Sequence, residues 1–450
     1  MTKLRAPARG IGALVINPTF KLPPQRAHPA LKAGGNRTPK RHGGAFVIST
    51  GDATLKILHV SESLIGGPAS YLQEVLPFQT RELSPENVIL LAPSAHISHL
   101  AGEFDGVVEK YNRSGRNLVS LCRLALALRR SLQLHQPDVV HLHSSFAGAI
   151  GRLVMLPMRV RPPTLYCAHC WSFDRKKRSP IVNLWERIER WLSRFTDRII
   201  NLSPHEDALL RSAGFPMARV SLVVSGIADV DPKRRVVLPP QQRGAPLRIL
   251  FLGRFDEQKG VDLLLKDMAS VDPARASIEL GGGRVLDGPE LNVPEGAKLL
   301  GWIPRADLPE LLMKYDAVIM PSRWEGLSIW ALEVLRSGRP LIGSDRGVFP
   351  YIIEEGVNGA LVDIDRPGFL NRAITVLENS DLAVMGAAAR RSYEDNYRSD
   401  QMNAAIVRVY REVTGAGAQM KVTAASLAVA PHQLCQQPSG ADHEFPQRTR

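Results

Sequence analysis

Glu325 and Glu333 lie in the stretch PSRWEGLSIWALEVLRSGRP, residues 321–340 of a 450-residue chain. The residues around Glu333 are Ile329, Trp330, Ala331, Leu332, Val334 and Leu335, a pattern that predicts a short buried helix. Ser328 is its candidate N-cap, and Gly338 with Pro340 marks its end. A carboxylate inside such a helix is costly unless it is paired or hydrogen-bonded. Glu333 therefore reaches solvent past Leu332, pairs with Arg336 or Arg339, or holds a ligand. The third reading has geometry behind it. The apolar run DAVIMPS (316–322) reads as a strand, and the helix follows its carboxyl end. Ligands bind at that end of an open α/β sheet, and helix N-termini favour anions. Glu side chains lean back toward the start of a helix. Glu333 would lie about 7.5 Å along the axis from Ser328. An anion at the tip and a carboxylate deeper in would suit a nucleoside diphosphate. The phosphates take the tip, Glu333 accepts from ribose hydroxyls, and Glu325 reaches the group carried by the terminal phosphate. Countercharge is available from Arg254 and Lys259 in GRFDEQKG (253–260). Taken by themselves, those two are ordinary surface cations.

Other candidates lie in the first half. Gly66 and Gly67 in IGGP (65–68) let a backbone approach a ligand, and Pro68 fits the first helical position, although a simple turn reads equally well. His141 and His143 in DVVHLH point to one side of a strand. As a pair they lack the further ligands a metal needs, so packing or acceptor contact is expected of them. The CAHC motif (Cys167, Cys170) has no second CxxC, and the run TLYCA before it reads as a buried strand, so neither metal nor redox use is expected. The triplets DVD (229–231) and DID (363–365) are too sparse for a metal site.

These residues need a scaffold. Strand-like runs at 55–60, 87–92, 138–143, 164–168, 197–203 and 219–224 alternate with helical patterns, including 117–135 and 182–195. A Pro/Gln/Gly-rich linker follows at 234–248. A second series then opens at 247–253, with strands at 276–283, 297–302, 316–322, 339–344 and 359–363 and helices at 380–394 and 401–413. Short buried strands alternating with helices predict parallel sheets covered on both faces, here two facing Rossmann-like α/β domains. The expected boundaries are 55–235 and 236–400, with a terminal helix at 401–413 free to return to the first domain. Residues 1–54 and 414–450 are expected to be a disordered leader and tail.

Composition narrows the class. The net charge is +13, but residues 1–51 hold nine Lys/Arg and no acid, which leaves +4 for the rest. With the charge in the leader and aromatics at 6%, a nucleic-acid binder is disfavoured. Four cysteines are too few for a disulfide scaffold and fit a reducing cytoplasm. No apolar run reaches 18 residues, and GIGALVI (10–16) is too short to be read as an export signal.

Taken together, GGxxxYL, HxH, a His after a strand, GRF-x3-KG and PSxxEG-x6-E resemble the retaining glycosyltransferases of family four, the group 1 transferases with the GT-B fold. The resemblance spans residues 55–413 and is sharpest in the second half. It implies that Glu325 binds the donor sugar, with the backbone amides of Gly326 and Leu327 nearby. It also implies that Glu333 holds the ribose and that Arg254 and Lys259 neutralise the diphosphate. Gly66 and Gly67 would close on the diphosphate and the acceptor side, and His169 would lie beside the sugar. No metal or other cofactor is expected. The implied partners are a nucleotide-sugar donor and a saccharide or polyprenyl-diphosphate-linked acceptor for surface polysaccharide. The implied place is the cytoplasm, peripheral on an anionic inner-membrane face that basic, apolar stretches at 123–134, 152–163 and 174–191 would touch. Departures include Ser225-Gly226-Ile227-Ala228 in place of Asn-Gly-Val/Ile-Asp, and Leu64 where glucan synthases carry Lys. A non-catalytic nucleotide-sugar or partner binder and a sugar-nucleotide epimerase are the alternatives.

Overall fold

The computed structural model describes residues 55–100, 104–174, 179–230, 245–283, 293 and 297–415. The expected leader, the tail beyond 415, most of the linker, Asp231 and the 10–16 segment lie outside these residues.

Short runs of three to six residues, mostly apolar, form two sheets. The first contains β1 (Ile57–Ser61), β2 (Val88–Pro93), β3 (Val107–Tyr111), β4 (Val139–His143), β5 (Thr164–Cys167), β6 (Arg198–Asn201) and β7 (Val220–Leu222), in the order β3-β2-β1-β4-β5-β6-β7. The second contains β8 (Leu247–Leu252), β9 (Ala276–Gly281), β10 (Lys298–Gly301), β11 (Ala317–Met320), β12 (Leu341–Ser344) and β13 (Gly359–Val362), in the order β10-β9-β8-β11-β12-β13. Every strand pairing within the two sheets is parallel. The central strands are buried on both faces, which explains their continuous rather than alternating apolarity. Strand order reverses beside β1 in the first sheet and beside β8 in the second, and these are the places where such sheets bind ligands.

The helices of the first half are α1 (Gly67–Leu83), α2 (Leu118–His135), α3 (Ser145–Met155), α4 (Pro180–Leu192) and α5 (Pro204–Ser212). Those of the second are α6 (Val261–Met268), α7 (Leu308–Leu312), α8 (Ile329–Arg336), α9 (Phe349–Ile352), α10 (Phe369–Glu378), α11 (Leu382–Asn396) and α12 (Ser399–Thr414). Asn117, Ser179, Ser203 and Asp381 cap α2, α4, α5 and α11 through side-chain oxygens. β3, α3 and α5 fall in stretches whose residue pattern predicts no regular element.

The chain crosses between sheets twice, side by side. Ile227 N–H donates to the Tyr397 carbonyl (2.9 Å), and Ser399 N–H donates to the Ile227 carbonyl (2.9 Å). A Cβ at Gly226 would lie 2.4 Å from the Arg398 carbonyl oxygen, so only glycine allows this approach. After the second crossing, Met402, Ile406, Val409 and Tyr410 of α12 bury themselves in the core of the first sheet, against α1 and β1. Among the described residues no helix is long and apolar enough to cross a membrane.

Candidate functional site

The loop after β8 and the loop after β11 meet at the strand-order reversal of the second sheet. A chain of contacts holds them together. Arg323 N–H donates to the Gln258 carbonyl (2.8 Å), and Gln258 Nε2 donates to the Trp324 carbonyl (3.3 Å). Gly260 is left-handed, and a Cβ there would sit 2.1 Å from the Pro321 carbonyl oxygen. This closeness brings Lys259 Nζ onto the Glu325 carboxylate as an ion pair, with both side chains buried. Ser322 Oγ adds a hydrogen bond to the same carboxylate oxygen (3.2 Å). Gly347, also left-handed, passes so close that a Cβ would lie 2.5 Å from the Glu325 carbonyl oxygen, and Val348 N–H donates to that oxygen (3.1 Å). Arg254 is held beside them by Asp256 (3.0 Å) and Gln258 (2.8 Å). Glu325, Lys259 and Arg254 therefore share one end of the sheet.

Glu333 is 1% exposed, inside α8 as its pattern implied. It does not reach solvent. Arg305 Nε donates to one of its oxygens (2.7 Å), and Arg336 pairs with the other. Arg339, the alternative partner, gives its Nε to the Leu312 carbonyl instead (2.8 Å). Ser328 precedes α8, but its hydroxyl makes no capping hydrogen bond. Arg305 is not among the sequence candidates. Its only local signal is a cation in the loop after β10. Its Nη2 continues to Glu74 of α1 (2.7 Å), whose second oxygen accepts from the Ala228 amide (2.8 Å). Arg336 closes the ring on the Ala228 carbonyl (2.6 Å). Glu333 is thus tied to the first sheet's helix and to the crossing chain.

On the first sheet, Gly66 holds a positive φ (70°) at the start of α1, and a Cβ on Gly66 or Gly67 would meet open space. His169 follows β5, and both it and Cys170 hold positive φ (54° and 91°). For residues with side chains this costs on the order of 1–3 kcal/mol each, and surrounding contacts must impose it. One such contact is the Glu206 carboxylate, which accepts from Cys170 N–H (3.1 Å) and Leu202 N–H (2.7 Å). Burial pushes the Glu206 carboxyl up to about 7. The turn brings Cys170 against the other sheet: a Cβ on Gly326 would be 3.4 Å from Cys170 Cβ and 3.4 Å from Glu206 Oε1. Burial, then the carboxylates of Asp174, Glu206 and Glu325, push the Cys170 thiol upward. His169 is thereby one residue from the Glu325–Gly326 loop, while Leu327 packs on the core beneath it.

His141 and His143 are not an isolated pair. Parallel register sets His59 beside His141, and the three rings can each offer a nitrogen within 4.8 Å of one another. Their nitrogens are largely engaged by protein hydrogen bonds instead. The acidic triplets are held by arginines: Asp229 by Arg390 (2.6 Å), Asp363 by Arg366 (3.0 Å), and Asp365 by Arg346. Cys167 is buried in β5.

Comparison with known proteins accounts for this pairing of sheets. A family described as "Glycosyl transferases group 1" matches residues 246–379, and a "Glycosyl transferase 4-like domain" matches residues 88–226. An uncharacterized 41.2 kDa protein in the cps region of Klebsiella pneumoniae is 27% identical, over 79% of this chain and 99% of its own. The Escherichia coli UDP-Gal:alpha-D-GlcNAc-diphosphoundecaprenol alpha-1,3-galactosyltransferase is 22% identical, over 62% of this chain and 77% of its own. The crystal structure of Anabaena HepE in complex with UDP-glucose superimposes with a TM-score of 0.65 at 19% identity, over 80% of this chain and all of its own. With both halves matched and the two parallel sheets in place, the chain belongs to the group 1 glycosyltransferases and has the GT-B fold.

Proposed function

We propose that this glycosyltransferase moves a hexose from a nucleoside-diphosphate sugar to a lipid-linked saccharide, with retention of anomeric configuration, during assembly of a bacterial surface polysaccharide. The observation that carries the reading is the Lys259–Glu325 pair at the strand-order reversal of the second sheet, with buried Glu333 on the helix that follows. A cation and an acid in contact can separate onto a ligand that offers each a partner. Lys259 and Arg254 take phosphate oxygens, and Glu325 takes sugar hydroxyls. Glu333 exchanges an arginine for the ribose diol. As the bond from C1 to the phosphate oxygen breaks, negative charge grows on the diphosphate, where the two cations and the start of α8 stabilise it without a metal. The acceptor oxygen bonds to C1 on the same face, and its proton passes to the departing phosphate oxygen. The donor class is supported by HepE, which holds UDP-glucose, and the acceptor class by the E. coli relative, whose name specifies a diphosphoundecaprenol-linked sugar.

The acceptor's lipid implies a cytoplasmic enzyme that works at a membrane surface. α2, α3 and α4 pack in series against one face of the first sheet. They and the loop after α3 expose Leu118, Leu126, Val160, Ile181 and Trp191 among Arg123, Arg129, Arg130, Arg159 and Arg187. The acids of these helices, Glu186 and Glu189, are both buried. Exposed apolar side chains interspersed with arginines suit an anionic bilayer.

Purified protein with UDP-, GDP- and ADP-sugars and a polyprenyl-diphosphate saccharide should yield a glycosylated lipid whose new linkage keeps the donor's configuration. Glu325→Gln should lose at least about a hundredfold in kcat. Sugar conversion without acceptor would mean an epimerase, and an inverted product would end the retention reading. Co-sedimentation with anionic but not zwitterionic vesicles, weakened by salt, tests the membrane face. Absence of binding at any salt would remove it.

A further inference from the structure

The polar cluster buried beneath His169 has a direction. Gln79 of α1 donates through Nε2 to Tyr410 Oη (3.2 Å), so its carbonyl oxygen faces His59 Nε2 (2.7 Å). A carbonyl only accepts, so His59 carries its proton on Nε2. Burial lowers the His59 pKa to about 4, partly offset by the Gln79 hydrogen bond, so the ring is neutral and its Nδ1 has a lone pair. His143 Nε2 lies 3.0 Å from that Nδ1 and must donate. Burial, reinforced by the neighbouring rings, also keeps His143 neutral, so its Nδ1 accepts in turn. The group 3.0 Å away is His169 Nε2. Burial lowers His169 to about 3, which leaves it one proton, on Nε2. Its Nδ1 makes no hydrogen bond to any described residue and is not sealed in the core. On the branch, Tyr410 accepts from Gln79 and donates to His141 Nδ1 (2.8 Å), which leaves the His141 Nε2 proton buried without a partner among the described residues.

We propose that Gln79, His59 and His143 are positioning residues that lock His169 in the tautomer whose Nδ1 is a free acceptor, aimed at a hydroxyl of the donor sugar. This rests on the proposed placement of that sugar beside Glu325 and His169. The relay spans α1, β1, β4 and the turn after β5, with β1, β4 and β5 fixed by parallel register, so one amide 90 residues upstream sets the polarity of a ring at the site. Because every ring in it is neutral, the acceptor is present throughout the neutral pH range and unscreened by salt. A metal on His59, His141 and His143 would need the His59 lone pair and would break the relay.

The test uses full-length protein with 15N-labelled histidine, His169 being assigned by difference from His169→Gln. Long-range 1H–15N correlation without substrate should show the His169 proton on Nε2. Gln79→Glu, whose carboxylate can only accept from His59, should keep that tautomer. Gln79→Met, which neither donates nor accepts usefully, should give a tautomer mixture. With donor and acceptor present, Gln79→Met should lower kcat about tenfold with little change in donor KM, and Gln79→Glu should restore it. A merely structural role predicts the reverse ranking, because a buried charge should lower Tm more in Gln79→Glu than the loss of an amide does in Gln79→Met. A proton on Nδ1 of His169 in the unmutated protein would overturn the relay. So would activity that follows Tm rather than tautomer, or stoichiometric metal in the purified protein. If no donor is ever turned over, the NMR result still decides the tautomer, and the failure belongs to the proposed reaction.

Discussion

The two sheets bury polar groups in opposite ways. Beneath the first, His59, His141, His143, Gln79 and Tyr410 form a network without net charge, in which burial strips each imidazole of its second proton. At the end of the second, Glu333, Arg305, Arg336, Glu325 and Lys259 are held as ion pairs. A neutral network is rigid and indifferent to salt, but it fails when protons enter. An ion-paired cluster can surrender one partner to a charged or hydroxylated ligand. The first arrangement suits a surface that must present one fixed acceptor. The second suits a surface that must open for its ligand and close behind it.

The largest effect that could break this contrast is acid. An unfolded histidine titrates near 6.5, whereas His59 and His169 stay neutral down to about 4 and about 3, with burial the main cause. His141 and His143 are lowered in the same direction. Between 6.5 and the folded values only the unfolded chain takes up the proton, so each ring removes about 1.4 kcal/mol of stability per pH unit as pH falls. Glu206 works the other way, because its folded value is raised to about 7: acidification from there toward 4.5 stabilises the native state by a similar amount per unit. His205, lifted against its burial by the hydrogen bond to Asp174, opposes them too, but the lowered histidines outnumber the raised groups, so acidification from pH 7 to pH 5 is a net loss of stability. Urea midpoints measured across this range should fall toward acid, and His59→Gln should flatten the slope. A level profile would mean that the histidines are not buried neutral.

Next in size is the ion-paired side. Glu333→Gln removes the charge opposite Arg305 and Arg336, and Arg336 is 8% exposed. Breaking a buried pair by losing one partner costs about 3–5 kcal/mol. The melting temperature should drop clearly at pH 7, and nucleotide should no longer raise it. Replacing Arg336 with Met in the same chain should recover part of the loss, since the orphaned cation goes with it. Full stability in the single variant would show that Arg305 and Arg336 find water instead.

The same contrast governs what is legible in the sequence. Lys259, Glu325 and Glu333 announce themselves because each carries charge within a few residues of a strand end or inside an apolar helix. The expected sheets also follow from local runs of apolar residues. The histidine network does not, because its members come from separate strands and His59 and His143 are 84 positions apart. Only parallel register, His59 beside His141, makes them neighbours. Arg305 escapes for a similar reason: its partners lie on α8 and, 231 positions away, on α1. α3 escapes because Gly148 and Gly151 weaken a helical pattern. The fold explains both, since a Cβ at Gly148 would be 2.3 Å from the Tyr166 ring and one at Gly151 would be 2.5 Å from Leu142.

The smallest effect would sharpen the comparison most, because it concerns the one link that joins the two sides. Arg305 bridges Glu333 and Glu74, and its side chain is 33% exposed while that of Glu74 is 8% exposed. Partial solvent contact puts the Arg305–Glu74 coupling at about 0.5–1 kcal/mol in a double-mutant cycle of Glu74→Gln and Arg305→Gln, falling as salt is raised. Both residues also touch Glu333 or the Ala228 crossing, so the cycle should be run with and without a nucleoside diphosphate. If ribose takes Glu333, Arg305 loses one of its two carboxylates and its remaining bond to Glu74 should strengthen. A coupling that grows with nucleotide would make Arg305 the means by which occupancy of the second sheet is felt on α1, the helix that carries Gln79. An unchanged coupling would leave the two clusters as independent devices within one fold.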